Sequence, residues 1–162
     1  MGTAPDRKIA QWIAAAGKAA NVSPDVRERI ITAAKFIENS AGISDASPLL
    51  RGIDFSKPVR VCHRLPDGIY VQFVDHHLGA WFTTTGLRPD QIGLAEGHRR
   101  GKHFRPVGAV AALESTASAI KDSWTRGRRE ESLDPGSGRS GQMTGGGGTQ
   151  YLVINKFQMQ TV

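Results

Sequence analysis

Residues Gly145–Phe157 read GGGGTQYLVINKF. Four consecutive glycines run into a polar pair, Thr149 and Gln150, and a β-branched and aromatic run follows. Glycine in an ordered element costs roughly 0.5–1 kcal/mol relative to alanine, so the run is either slack linker or backbone that must pass close to something. The residues before it decide how the C-terminal run is used. TRGRREESLDPGSGRSGQMTGGGG (residues 125–148) has almost no apolar side chains, and its composition predicts a disordered linker. The short remainder after it cannot fold alone. TQYLVINKF must therefore dock back onto the body as a sheet strand, with Thr149 and Gln150 at its entry.

The N-terminal part has the helical period. Ile9, Trp12, Ile13 and Ala16 form an i, i+3, i+4, i+7 stripe, which predicts an amphipathic helix over residues 6–20. Ser23 reads as an N-cap, with Pro24 at the first helical position and Asp25 near the positive helix end. The second helix is expected to run to about Asn39, with Val26, Ile30, Ala33, Ala34 and Ile37 on one face, and Gly42 ends it. Together they form a helical hairpin whose job is packing, since no chemical cluster lies on it.

Beyond Pro58 the period changes to alternation. VRVCHR (Val59–Arg64) and IYVQFV (Ile69–Val74) flank Leu65-Pro66-Asp67-Gly68, and a Pro-Asp-Gly turn between alternating runs predicts a β-hairpin. GAWFTTTG (Gly79–Gly86) reads as a third strand and RPDQIG (Arg88–Gly93) as a turn or short helix start. VGAVAALESTASAIKDSW (Val107–Trp124) is ambiguous: its first part suits a strand, while its alanines favour a helix from about Ala111. The fold class is α+β.

Composition limits the function. The 162 residues suffice for one core. No apolar run is long enough to span a bilayer, and the first residues lack the apolar region of a signal peptide. Cys62 is alone, which excludes a disulfide framework and a cysteine-based metal site. His63, His76, His77, His98 and His103 show no zinc-like spacing. The net charge of +6 is concentrated in His98–Arg105 and Arg126–Arg129, patches that attract phosphates when they are not simply solvated loops. Two tyrosines and no aromatic–basic interleaving argue against single-strand nucleic-acid binding. A strand that starts with a polar pair behind a side-chain-free backbone makes a rim for a flat ligand, with Gln150 offering one acceptor and two donors. Equally, Gln150 can be an ordinary rim residue behind slack glycines.

A resemblance bears on that choice. GGGGTQY (Gly145–Tyr151) resembles the pGGGtQy signature near the end of the NAD glycohydrolase domains of bacterial polymorphic toxins, including the tuberculosis-necrotizing-toxin type. YVQFVDHHLGAWFTTTGLRPDQIGL (Tyr70–Leu94) resembles that family's middle segment, and ALESTASAIKDSW (Ala112–Trp124) the segment before its final strand. The likeness covers roughly residues 59–155. The chain departs from the family in its long polar insertion, and in RVCHR where an Arg-Tyr-Gly or His-Gly pattern is expected.

These domains are similar to ADP-ribosyltransferases, which implies a small split β-sandwich holding NAD(+) in a cleft between two sheets. The implied layout is a helical segment at 1–48 and an NAD-cleaving toxin domain at 49–162, with a flexible insertion at about 125–144. Gln150 would occupy the position of the transferase glutamate, holding the nicotinamide-side ribose and steadying positive charge as the glycosidic bond breaks. It is expected to be needed for turnover and to matter little for folding. Arg60 would hold the pyrophosphate, and His63 is its rival as the ligand from the first strand; they point to opposite faces, so one of the two serves. Trp81 or Phe82 would stack on nicotinamide, Thr83 and Thr84 would bond ribose or support the sheet, and Thr149 would line the entry. Ser115, Thr116 and Asp122 form a polar group, with Asp122 positioning water or ribose. Each also has a plain structural reading, as core aromatic, cap or surface residue.

The implied activity is hydrolysis of NAD(+), and of NADP(+) as an extension, to nicotinamide and ADP-ribose. The dinucleotide is the substrate; no cofactor or metal is called for. The implied setting is a secreted effector, carried at the C-terminus of a larger protein, that acts in a target-cell cytoplasm and is neutralised by an acidic immunity protein. The rivals are a mono-ADP-ribosyltransferase, a basic nucleic-acid-binding or nuclease module, and a non-catalytic interaction module.

Overall fold

The computed structural model describes residues 4–41, 45–74, 80–92, 100–119, 145–153 and 155–162. Helix α1 spans Ala4–Ala15 and α2 spans Pro24–Ala41. The Ser23 hydroxyl accepts a hydrogen bond from Val26 N at 3.3 Å, so α2 starts at the expected cap. Trp12 and Ile13 of α1 and Ile30, Ala33, Ala34 and Ile37 of α2 are buried, as the stripes require. The one-turn helix α3 (Ser47–Leu50) is tied to both: the Glu38 carboxylate accepts from Trp12 Nε1 at 3.1 Å and from Ala46 N at 3.2 Å, and pairs with Lys8.

Among the described residues seven strands follow: β1 (Arg60–Cys62), β2 (Tyr70–Val74), β3 (Trp81–Thr84), β4 (Arg100–Pro106), β5 (Ala112–Thr116), β6 (Thr149–Val153) and β7 (Met159–Thr161). They form one antiparallel sheet in the order β1-β5-β6-β3-β2-β4-β7. The architecture is α+β, as expected, and β3 and the C-terminal β6 fall where the sequence put them. The 3-10 turn Pro89–Ile92 occupies the RPDQIG segment. The expected two separate sheets are joined into one hydrogen-bonded ladder. Its narrowest joint lies between β3 and β2, where two register pairs form.

Two other expectations are corrected. The runs around Leu65-Pro66-Asp67-Gly68 do not pair as a hairpin: β1 lies on the edge against β5, and β2 lies between β3 and β4. The linking segment is held elsewhere. Leu65 N donates to Val110 O at 2.8 Å, the Tyr70 hydroxyl donates to Pro66 O at 2.8 Å, and the Leu65 side chain is fully buried. A buried anchor five residues before Tyr70 overrides the local turn signal. Residues 112–116 are strand rather than helix, because β5 pairs on both sides, with β1 and β6. Asp122, His76, His77, His98, Arg126–Arg129 and the 125–144 insertion lie outside the described residues.

Each face of the sheet carries its own apolar cluster. The helices, Leu50, Ile53 and Phe55 pack with Leu113 and Leu152 on one face, so the helical segment and the sheet share a core. On the other, Leu65, Tyr70, Phe82, Phe104, Val110, Ala112, Val153 and Met159 pack together. Among the described residues no helix is long and apolar enough to cross a membrane.

Candidate functional site

The glycine run is pinned on both sides by main chain. Gly147 N donates to Ala117 O at 2.9 Å, Ala117 N to Gly148 O at 2.9 Å, and Gly148 N to Gln91 O at 2.8 Å. Gly146 has φ +64°, and a Cβ there would stand 2.6 Å from Ser118 C and 2.7 Å from Ala119 N. A Cβ on Gly148 would stand 2.8 Å from Gln91 O. Backbone on either side leaves no room for a side chain. The glycines are therefore a close passage between residues 117–119 and the Pro89–Ile92 turn, which fixes where Gln150 enters the sheet.

Register gives the rest of the geometry, because side chains alternate faces with period two. Ser115, Gln150, Thr83 and Val71 form one cross-strand row. The next row on that face is Val61, Leu113, Leu152 and Trp81, over which the helices pack. Gln150 is 4% exposed. Its amide nitrogen donates to Gly52 O at 3.0 Å and to Ser115 Oγ at 3.2 Å. The first bond thus holds the segment that follows α3 and the second ties Gln150 to β5, while Ser118 Oγ holds the post-α3 segment through Arg51 O at 2.8 Å. Among the described residues no bond to the Gln150 amide oxygen is formed, and that acceptor is what the amide has left to offer. Thr83 is fully buried, and its hydroxyl donates to Thr149 O at 2.6 Å.

The opposite face carries Arg60, Glu114, Tyr151 and Phe82 in one row. Arg60 is exposed and pairs with Glu114 at 3.1 Å. The Glu114 hydrogen bond holds the guanidinium more firmly protonated than usual. Burial, with Glu114 next in effect, pushes the Tyr151 phenol up to about 12, and burial pushes the Cys62 thiol up.

The proposed site residues therefore separate. Gln150, Ser115, Thr83 and Trp81 share one face. Arg60, Phe82, Thr84, Thr116 and Thr149 belong to the other, Phe82 being buried core and Thr149 exposed. His63 is exposed and lies past the Cys62↔Ala112 pair, at the opposite end of β5 from Ser115. Neither Arg60 nor His63 adjoins Gln150.

Arg51 is the guanidinium that sequence reading missed. It is exposed and sits in the segment that Gln150 and Ser118 hold. No motif marks it; long-range bonds from Gln150 and Ser118 bring its segment beside Gln150. A groove of about 580 Å³ lined by Asp67, Gly68, Ile69 and Arg105–Gly108 includes none of the residues around Gln150, so it is a different feature of the surface. Among the described residues no group of three or more His, Cys, Asp and Glu is placed to hold a metal ion.

Among solved structures the chain is similar to Tse6, seen in complex with Tsi6. The TM-score is 0.65 and the identity 21%, over 87% of this chain and 98% of that one. No protein-family model matches the chain, and no curated protein matches it significantly. The two chains share a fold.

Proposed function

We propose that this chain is an effector toxin domain that hydrolyses NAD(+) to nicotinamide and ADP-ribose, with NADP(+) as the second dinucleotide to test. The observation that carries the reading is the GGGGTQY segment. Its glycines form a close backbone passage that delivers Gln150 into a buried polar row beside an arginine-bearing segment. The fold shared with Tse6 supports it.

In this reading Gln150 works from a fixed position. Its two donors lock the amide to Gly52 and Ser115, so the amide oxygen is pre-aimed. A fixed dipole of that kind costs no reorganisation when positive charge develops on the ribose. The C1′–nicotinamide bond breaks with its electron pair leaving on the ring nitrogen. Water adds to C1′ and loses its proton to solvent. Arg51 supplies the planar fork that suits a pyrophosphate. Trp81 offers a flat surface on the same face, and Asp122 remains a proposed water- or ribose-positioning group. The partner is an acidic immunity protein, in keeping with the net charge of +6 and with Tse6 having been seen held by a second protein. The setting is delivery into the cytoplasm of a target cell.

NAD(+) labelled in its ADP-ribose half tests the reaction class. Free labelled ADP-ribose is the expected product. Label retained mostly on protein would make the chain a mono-ADP-ribosyltransferase. Gln150→Glu, which adds the transferase carboxylate and removes the donors to Gly52 and Ser115, should depress hydrolysis strongly.

A further inference from the structure

The joint between β2 and β3 stops early. Tyr70↔Thr84 and Val71↔Thr83 pair, and the ladder ends there. On either side pairing continues, from β3 to β6 through Phe82 and Trp81, and from β2 to β4 through Val74. The sheet therefore opens between two half sheets that each remain intact. At the opening the side chain of Gln72 takes over from the ladder: its Nε2 donates to Trp81 O at 2.8 Å. Gln72 is 5% exposed. A buried amide that bonds a strand carbonyl across a break fixes that carbonyl, and with it the residue that bears it.

We propose that Gln72 is a positioning residue for dinucleotide binding, which it serves by holding the main chain of Trp81 at the mouth of the break between the half sheets. The proposal rests on the NAD(+) reading. Trp81 packs in part against the helical cluster, which leaves it half-buried, and it lies on the Gln150 face, one row from the Gln150–Thr83 pair. Adjacent rows on one face are two residues apart, about 7 Å along the strand. That spacing suits a flat ring against the indole and a ribose at Gln150. A ring that stacks on Trp81 gains most when the indole is already fixed, because binding then does not have to order it. Without the Gln72 donor, the main chain of Trp81 is paired on the β6 side only, and the loss falls on binding rather than on bond cleavage.

The test is steady-state NAD(+) hydrolysis by Gln72→Met, which keeps volume and removes the donor, by Trp81→Leu, and by the double variant. Gln72→Met is expected to raise KM about tenfold with kcat little changed, the size of one lost hydrogen bond. Trp81→Leu should raise KM at least as much, and Gln72→Met should add little on top of it, because the first acts through the second. A Gln72→Met protein with a lowered Tm but unchanged KM would reduce Gln72 to a clasp of the sheet and overturn the proposal. Should Gln72→Met fail to fold, Trp81→Leu still decides: it keeps the main-chain bond, and an unchanged KM overturns the proposal. An inactive wild-type protein would overturn the NAD(+) reading, and this proposal with it.

Discussion

Gln150 and Arg60 project from opposite faces of the sheet, with β5 between their strands. Gln150 lies in the row of Ser115 and Thr83, and Arg60 in the row of Glu114, Tyr151 and Phe82. One ligand cannot meet both side chains without passing through the sheet. Arg60 also already has a carboxylate partner. Arg60→Ala is therefore expected to leave NAD(+) turnover unchanged within about twofold, since an exposed ion pair contributes little. Arg51→Ala should raise KM roughly tenfold through loss of a charge-assisted anion contact. Kinetics on the two single variants check this. A large loss on Arg60→Ala with none on Arg51→Ala would place the pyrophosphate on the other face.

Gly146→Ala should destabilise by about 1–3 kcal/mol, the scale for a strained left-handed residue, before the backbone clash is added. Gly148→Ala meets Gln91 O and should also destabilise. Gly68 is the control: a Cβ there has nothing within 4 Å, and Gly68→Ala should be neutral or stabilise by up to about 1 kcal/mol. Urea midpoints for the three variants give the comparison. Equal stability of Gly146→Ala and wild type would mean that the run is slack after all.

The helices were legible in the sequence because each carries its own periodic stripe and α2 its own cap. Strand existence was legible for β3 and β6, whose composition is local information. Pairing was not. The hairpin misassigned to Val59–Val74 had a good turn signal, and what defeated it was Leu65 anchoring to Val110, a contact 45 residues away. The alanines of Ala112–Thr116 point to a helix only while neighbours are ignored; two flanking strands settle it. Gln150 was legible as special from its motif. Its burial, and its bonds to residues 98 and 35 positions away, were not. The expectation that it matters little for folding is accordingly reversed. Gln150→Ala leaves Ser115 Oγ without this donor and Gly52 O with Ser118 N alone, and about 1–3 kcal/mol of destabilisation is expected. Activity of that variant must be read on the folded fraction.

Acid should loosen the helical segment first. Burial raises the Glu38 pKa, but the bonds from Lys8, Ala46 and Trp12 outweigh it and leave the group below its usual 4.5. A depressed carboxylate contributes stability that is present above the unfolded pKa and is lost as pH falls through the folded one. The tryptophan fluorescence of the wild type should therefore change below about pH 4.5, and Glu38→Gln should remove most of that dependence. Tyr151 has the opposite sign. Its pKa is raised from 10.0 to about 12, so its contribution is complete below pH 10 and is lost between about 10 and 12. Tyrosinate absorbance against pH, with Tyr151→Phe as the reference, reads this directly.

Deleting Arg129–Ser140 should leave folding intact. The described residues on the two sides of this part of the chain already meet, with Gly146 packed on the main chain of Ser118 and Ala119. Closure entropy changes by only about 0.6 kcal/mol per doubling of loop length. The urea midpoint of the deletion variant should match that of the wild type, and an unfolded variant would make the segment structural.

NAD(+) hydrolysis is tested by incubating substoichiometric purified protein with NAD(+) and measuring free nicotinamide over time, in parallel with chelator and with added divalent metal. Many turnovers per protein molecule are expected, with nicotinamide appearing one for one with NAD(+) lost and the same rate with chelator present. NAD(+) unchanged after prolonged incubation under every condition would contradict it.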